Sequence, residues 1–549
     1  MKSKSYDAIV IGAGVGGGIV ACQLAESGKR ILLLERGRDL KYDDVGRDHL
    51  RNQRISLYGH NAGPDIVGNP RVLVNSSGER TLLRPHEGGY NNNAACVGGG
   101  SRVYGAQAWR FMEQDFQMAS LYGVPEGSSL ADWPISYSDL EPYYERAEWE
   151  LGVCGDSGGN AYQSPRNKDY PMPAVRQTLS GRILLEGSKA LGWNTLPVPL
   201  LINSVPYQGR RACAECQHCV GFACPVDAKN GTHNTMIPRA LTTGLCTLRS
   251  QVMVEKIETD SHGKVDGVSY LYDDGSGIRR ERTTAKCVIV AAGAIETARL
   301  LLLSTSTLHP KGLGNQYELV GRNLQGHYYP GAFGLMDQQV YDGIGPGVSI
   351  ATCQFNHNNP GVIGGGMIAN EFIKLPIIYW KWALPPDLPR WGMKNKDWMR
   401  ENYSRTLHIM GPIQDIPSPE CRVSLDYDVF DRFGIPAARL SGASHPETVR
   451  TAQFMWERCR DWLKASGAIR LWGERPSIPS LSAGQHQAGT CRMGAEEAHS
   501  VTNSYGLVHG HDNLFISDAS LHVTNGGLNP VLTIMALAFR NGERIASSI

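Results

Sequence analysis

The stretch 7–37, DAIVIGAGVGGGIVACQLAESGKRILLLERG, decides the fold. Its apolar run 8–11 fits a strand buried on both faces. Gly12, Gly14 and Gly17 follow with G-x-G-x-x-G spacing. Val20, Ala21, Leu24 and Ala25 then recur at helical spacing, and Gly28 stands where that helix would end. A second apolar strand, 31–34, closes on Glu35. Strand, glycine turn, helix and a strand ending in an acid predict a dinucleotide-binding unit. Gly12 permits the tight turn and Gly14 lets backbone approach a pyrophosphate. Gly17 lets the helix pack close to the strand, and the helix N-terminal amides meet the phosphate charge. Glu35 would accept hydrogen bonds from adenosine ribose hydroxyls. The motif by itself serves NAD and FAD equally.

Around this unit the chain reads as globular. Its 549 residues predict two to four core-sized units, and 41% hydrophobic with 19% charged residues is ordinary for such a protein. Sixty-three glycines predict many tight turns and close backbone approaches. A formal net charge of +1 argues against a nucleic-acid partner. No uncharged apolar run reaches the ~18 residues of a spanning helix, so no direct membrane span is expected. The N-terminal lysines before an apolar run echo a signal peptide. The run enters the glycine motif with no cleavage site, so it reads as a strand and the chain is expected to carry no export signal of its own.

Residues 40–90 are polar and glycine-rich and read as a long excursion from the sheet. The next stretch, NNNAACVGGGSRVYG (91–105), holds Gly98, Gly99 and Gly100 in a row: either a surface for a flat ligand or a bare loop. Ser138 as N-cap, with Glu141 at the capping-box position, opens a structural helix. KCVIVAAGAIETARLLLLS (286–304) adds a strand, a glycine turn and a helix to the nucleotide-binding sheet. From 325 to 480, glycine turns and alternating runs such as RVSLDYDVFDRFGIPAARLSG (422–442) predict an antiparallel sheet. Within that span, YWKWALPPDLPRWGMKNKDW (379–398) carries Trp380, Trp382, Trp391 and Trp398. It suits a carbohydrate lid, a docking surface for another subunit, or a folded aromatic minicore. Near the C-terminus a strand ends at Asp518, a loop holds Gly526 and Gly527, and Asn529 and Pro530 open a long apolar helix. The partial positive charge of that helix start would stabilise the anion of a reduced flavin.

Together, IGAGVGGG, VGGGSRVYG, VAAGAIETARLLLLS, LVGRNLQGH, HQAGTCRMG and NPVLTIMALA, in that order, resemble the glucose–methanol–choline family of flavin oxidoreductases. The resemblance spans nearly the full chain. It implies FAD, with Gly98, Gly99 and Ser101 beside the flavin and Val252 near the adenine. Asp518 and Ala519 would hold the ribityl–pyrophosphate region, and Asn529 and Pro530 the flavin end. It implies an α/β fold: a Rossmann-like FAD-binding domain with a discontinuous substrate-binding domain built on an antiparallel sheet with helices. The FAD domain is expected over 1–160, 231–324 and 481–549, and the substrate domain over 161–212 and 325–480. A cysteine-rich segment spans 213–230. The family places a catalytic histidine at the start of H-x-x-G-T, here His486, and a second histidine or asparagine where this chain has Asn529. The chemistry needs such a pair: a base for the hydroxyl proton and a polar group that fixes the oxygen. Tyr104 departs from the pattern, standing where many relatives have asparagine.

Thirteen cysteines are present. Nine are scattered and read as small buried hydrophobes. Cys213, Cys216, Cys219 and Cys224 instead follow C-x2-C-x2-C-x4-C, with a proline after the last. An iron–sulfur cluster, structural zinc, two disulfides and free loop thiols are the competing readings. The final gap of four suits a 3Fe-4S cluster, which needs three thiolates, better than a 4Fe-4S cluster. The segment is most similar to the flavoprotein subunits of bacterial gluconate, fructose and glucoside 3-dehydrogenases. That similarity implies a small partner subunit, a cytochrome acceptor, and export to the periplasm with the partner; otherwise the chain is cytoplasmic. The leading expectation is an FAD-dependent dehydrogenase that oxidises a secondary alcohol of a sugar or glycoside, the 3-hydroxyl first. An oxygen-using glycoside oxidase with structural cysteines and a non-catalytic electron-transfer or assembly subunit are the rivals.

Overall fold

The structure is a computed structural model that describes residues 6–45, 62–87, 89–90, 94–370, 375–477, 480–481 and 484–549. Part of the 40–90 excursion and the first three asparagines of 91–105 lie outside the described residues. So do the N-terminal lysines.

The glycine unit forms as its pattern predicts. Strand Tyr6–Ile11 pairs in parallel with Ile31–Leu34 on one side and with Ile278–Val290 on the other. Cys246–Arg249 and Leu514–Ile516 extend the sheet at its two sides, also in parallel. Ile9, Val10, Ile31, Leu33, Val288 and Ile289 have no exposed surface, the state expected of strands covered on both faces. Strand Ile278–Val290 belongs to two environments, and its sequence shows why. The charged, alternating IRRERTT half pairs antiparallel with Val265–Asp273 on an exposed surface, while the apolar CVIV end is buried in the parallel sheet.

Helix Val15–Glu26 follows the glycine turn. Gly12 sits at φ +102°, and a Cβ there would lie 2.3 Å from the Ala291 carbonyl oxygen. A Cβ on Gly17 would lie 1.9 Å from the Gly12 oxygen, so only glycine lets the helix reach the strand. The C-terminal helix Val531–Ser548 packs on this one and on Tyr137–Leu151. That last helix is capped by Ser136, whose hydroxyl accepts from the Asp139 amide. The expected cap at Ser138 is therefore displaced by two residues, because Ser136 and Asp139 offer the same S-x-x-acid spacing one half-turn earlier.

A second core lies under a five-stranded antiparallel sheet ordered Ala351–Thr352, Ile368–Asn370, Thr406–Met410, Gly331–Met336, Ala468–Trp472. Helices Leu179–Leu191 and Pro446–Ala465 cover it. Val449, Ala452, Met455, Cys459 and Trp462 line one face of the latter helix, and Trp462 donates to the Leu184 carbonyl at 2.8 Å. The hairpin Arg422–Phe430/Pro436–Ser441 does not join this sheet. It pairs in parallel with Arg71–Val74, which continues to Arg80–Leu83, in a separate four-stranded sheet. Residues 71–83 thus contain two strands that the polar composition of 40–90 concealed. Their pairing partner lies more than three hundred residues away, so no local pattern announces it. The nine scattered cysteines are all buried.

Candidate active site

One continuous cavity runs from the glycine turn to the five-stranded sheet. Gly12, Gly14, Glu35, Val252 and Met253 line one end. Gly99, Gly100, Ser101, Asp518 and Ala519 line the middle, and His486, Asn529, Pro530, Tyr329, Met367 and Met410 the other end. Of the residues expected around a cofactor, only Gly17 and Gly98 stand behind the wall. Gly17 sets helix–strand distance, and Gly98, at φ +91°, lies against the His233 side chain.

The wall suits a long, phosphate-bearing, flat ligand. Gly14 and Gly100 both line the cavity, and a Cβ on either would meet no described atom within 4 Å. Both backbones are therefore bare on the ligand side. The start of helix Val531–Ser548 opens on the cavity through Asn529, Pro530 and Val531. Glu35 is buried, and burial pushes its carboxyl pKa up. Its oxygens accept from the Ala13 amide at 3.0 Å and the Gly37 amide at 2.8 Å, so it braces the glycine turn as well as facing the cavity. Asp518 is likewise a brace. It accepts from Gly293 N–H at 3.0 Å, Thr297 Oγ1 at 2.6 Å and Ser520 N–H at 2.8 Å, joining three segments of the cavity wall.

At the far end His486 and Asn529 meet through two residues that had no assigned role, His327 and Tyr329. His327 Nδ1 lies 2.8 Å from His486 Nδ1. Tyr329 Oη lies 3.2 Å from His486 Nδ1, and Asn529 Nδ2 donates to it at 3.4 Å. Protonation states follow from the partners. His327 Nε2 faces two carbonyl oxygens, Asn525 at 3.0 Å and Gly526 at 2.9 Å, and a carbonyl only accepts, so this nitrogen carries hydrogen. Burial lowers the His327 pKa to about 4, so the ring is neutral at pH 7 and its Nδ1 is an acceptor. His486 Nδ1 must then be the donor. A neutral His486 ring consequently keeps its lone pair on Nε2, the tautomer needed for taking a proton from a ligand in the cavity. Asn529 Oδ1 is buried and has no hydrogen-bond partner among the described residues, which leaves an acceptor for a hydroxyl there.

His486 is held in an uncommon backbone state, φ +58°. A non-glycine residue there costs roughly 1 kcal/mol. The Asn525 amide, donating to the His486 carbonyl at 2.8 Å, helps to fix it. His327 was present in the LVGRNLQGH motif; only its tertiary neighbours reveal its function.

The cysteine segment is fastened to the cavity wall by Lys229, which is 2% exposed. Its Nζ donates to the carbonyls of Cys219 at 2.5 Å, Phe222 at 2.8 Å and Tyr104 at 3.1 Å. Burial lowers its pKa to about 8. Gly221 N–H donates to the Val103 carbonyl at 2.7 Å and the Tyr104 hydroxyl to the Asn230 carbonyl at 2.5 Å. Tyr104, the departure from the asparagine pattern, is thus a strut between the cavity wall and the cysteine segment. All four thiols are unpaired, and burial raises those of Cys213 to about 11 and Cys219 to about 12. Of the competing readings, the one with two disulfides does not match this structure. Among the described residues no group of three or more His, Cys, Asp or Glu is gathered to hold a metal, so Cys213, Cys216, Cys219 and Cys224 do not stand as a ligand set. No helix of the described residues is long and apolar enough to cross a membrane.

Comparison with known proteins agrees with this architecture. Two family models described as GMC oxidoreductase match residues 15–329 and 417–538. The 6'''-hydroxyparomomycin C oxidase of Streptomyces lividus is 29% identical, covering 100% of this chain and 92% of its own. The fructose dehydrogenase large subunit of Gluconobacter japonicus is 28% identical, covering 100% and 99%. The crystal structure of pyridoxine 4-oxidase from Mesorbium loti superposes with a TM-score of 0.64 over 98% of this chain and 99% of that one, at 15% identity. With the bare glycine turns, the braced acids and the histidine-bearing end in one cavity, the chain belongs to the GMC oxidoreductase family, FAD-dependent enzymes that act on CH–OH groups.

Proposed function

We propose that the protein is a dehydrogenase of sugars or glycosides that oxidises a ring secondary alcohol, the 3-hydroxyl, to the ketone. The observation that carries this reading is the donor order imposed on His486 by His327. FAD, when bound, supplies the hydride acceptor. The chain's own residues supply the rest: His486 Nε2 takes the hydroxyl proton, Asn529 Oδ1 accepts from a second substrate hydroxyl, and Tyr329 lines the cavity beside both. Gln485 and Gln487 flank the base on the cavity lining, and Gln487 Nε2 donates to the Gly484 carbonyl at 3.2 Å. The similarity of the cysteine segment to the flavoprotein subunits of glucoside 3-dehydrogenases supports the 3-position.

The same reading gives the cysteine segment a task. Substrate oxidation releases two electrons together, whereas a protein acceptor takes them singly. Four free thiols at ferredoxin-like spacing, latched to the cavity wall through Lys229 and Tyr104, support an iron–sulfur cluster as the exit, with a partner subunit and cytochrome beyond it. Because the thiols are not gathered as ligands, no electron step is derived through them. The partner reading also supports delivery to the periplasm by co-export.

Anaerobic titration of purified flavoprotein with methyl glucosides tests the function. Bleaching of the flavin bands, with a 3-keto product by NMR, is the expected result. An unbleached flavin across a panel of sugars refutes it. Peroxide formed in air at the rate of dye reduction selects the oxidase. Acid-labile sulfide with iron at about three irons per four sulfides supports the 3Fe-4S cluster, about equal amounts a 4Fe-4S cluster, and zinc without iron removes both.

A further inference from the structure

We infer that the tryptophan segment 375–402 is a docking face for an acidic, one-electron carrier protein, seated beside the cysteine segment; this rests on the sugar-dehydrogenase reading above. Three uses of this segment were open in the sequence, and the structure separates them. None of its residues is among those lining the cavity that holds His486, so it is no lid over that site. The minicore exists but accounts for only part of it: Tyr379, Ala383 and Leu384 are buried against Leu388, Trp398 and Tyr403. The opposite side is bare. Trp382 is 61% exposed, Trp391 82% and Met393 64%.

Local structure produces this division. Tyr379–Ala383 is a single π-helical turn with its two ends buried and Trp380, Lys381 and Trp382 turned outward. Such turns are costly irregularities that recur at functional sites. An indole at 82% exposure gives up burial worth roughly 2 kcal/mol, so its retention on a surface needs a reason outside the fold.

Two observations define the occupant. The first is charge. Asp387 is neutralised by Arg470 at 2.5 Å and Asp397 by Arg400 at 3.6 Å. Lys381, Arg390, Lys394 and Lys396 are exposed and have no carboxylate partner among the described residues; Glu401 is the remaining acid. The face is therefore aromatic and cationic, and complementary to an acidic surface. The second is position. Leu375, Ile377 and Ile378, just before the π turn, pack with Val220 and Phe222, which lie between Cys219 and Cys224. The tryptophan segment is thus anchored on the cysteine segment through its apolar start. Each substrate oxidation yields two electrons and two protons; two carrier molecules, or one docking twice, each take one electron, and the protons leave to solvent.

The test uses the holoenzyme reducing an acidic c-type cytochrome, with a small uncharged dye as the second acceptor. W382A/W391A and K381E/K394E/K396E are each expected to lower kcat/KM for the cytochrome about tenfold or more while dye reduction stays at the wild-type rate. Wild-type cytochrome reduction should fall with rising salt, and the lysine variant should lose that dependence. Wild-type rates with the cytochrome in both variants overturn the docking face. Binding of the wild type to phosphatidylglycerol vesicles that W382A/W391A abolishes, with cytochrome reduction intact, overturns it in favour of a membrane surface. No dye reduction by sugar in the wild type sinks the dehydrogenase reading itself, a result distinct from either.

Discussion

His327 Nδ1 and His486 Nδ1 lie 2.8 Å apart, and a single hydrogen sits between them. Two carbonyls fix the hydrogen of His327 on its far nitrogen, so the shared one belongs to His486. The backbone at 525–526 thereby selects the His486 tautomer through an intervening ring. His486→Ala removes the proposed base and should lower the anaerobic flavin-reduction rate by roughly 10²–10⁴-fold, with the flavin spectrum retained. Stopped-flow reduction measures it, and a near-normal rate would end the assignment.

His327→Ala is expected to act through its neighbour. Without the acceptor, His486 distributes its hydrogen between both nitrogens and its ring is no longer fixed. The reduction rate should fall about 10- to 100-fold, with substrate KM nearly unchanged. A KM effect with an intact rate constant would mean that His327 shapes the substrate pocket instead.

Two glycines that look alike in the motif should behave differently. Gly14→Val places its side chain in the cavity with no clash against described atoms, so the chain folds but binds FAD at least about tenfold more weakly. Gly17→Val drives Cβ to 1.9 Å from the Gly12 oxygen and should cost stability, roughly 2 kcal/mol or more, even without FAD. Thermal melts with and without added FAD distinguish the two: only the first variant should be rescued by excess cofactor.

Acid should weaken the fold through its neutral histidines. Burial lowers His327 and His522 to about 4 from 6.5. The unfolded chain therefore binds more protons between those values. The stability that these rings contribute is complete above about pH 6.5 and is lost as pH falls towards 4, by at most roughly 3 kcal/mol per ring. Denaturant midpoints from pH 7 to 4.5 should decline, and a midpoint that rises over that interval contradicts the assignment.

Lys229→Met removes the latch while keeping the volume. Three carbonyls, those of Cys219, Phe222 and Tyr104, lose their donor. A cost of roughly 2–4 kcal/mol is expected, concentrated locally. Hydrogen exchange should accelerate in 213–230 and 103–105 but not in the parallel sheet. Unchanged protection in both segments would mean that other contacts hold the segment.

Much of this protein was legible from local pattern. The glycine unit, the apolar parallel strands, the Pro530 helix start and the two proposed reacting residues are each a short run of residues with its own signature. Strands Arg71–Val74 and Arg80–Leu83 were not legible, because their partner at Pro436–Ser441 is supplied by the distant hairpin. The cap at Ser136 was missed because two serines lie two residues apart, and only the first residue's backbone is extended.

The sequence by itself determined the nucleotide-binding fold, since turn sterics and strand burial act over a few neighbouring residues. Tertiary structure alone decided which nitrogen of His486 bears hydrogen, why Tyr104 replaces an asparagine, and which tryptophans remain outside. Those properties depend on partners brought together from remote parts of the chain, and hydrogen bonding and burial are set by distance in space, which residue spacing does not encode.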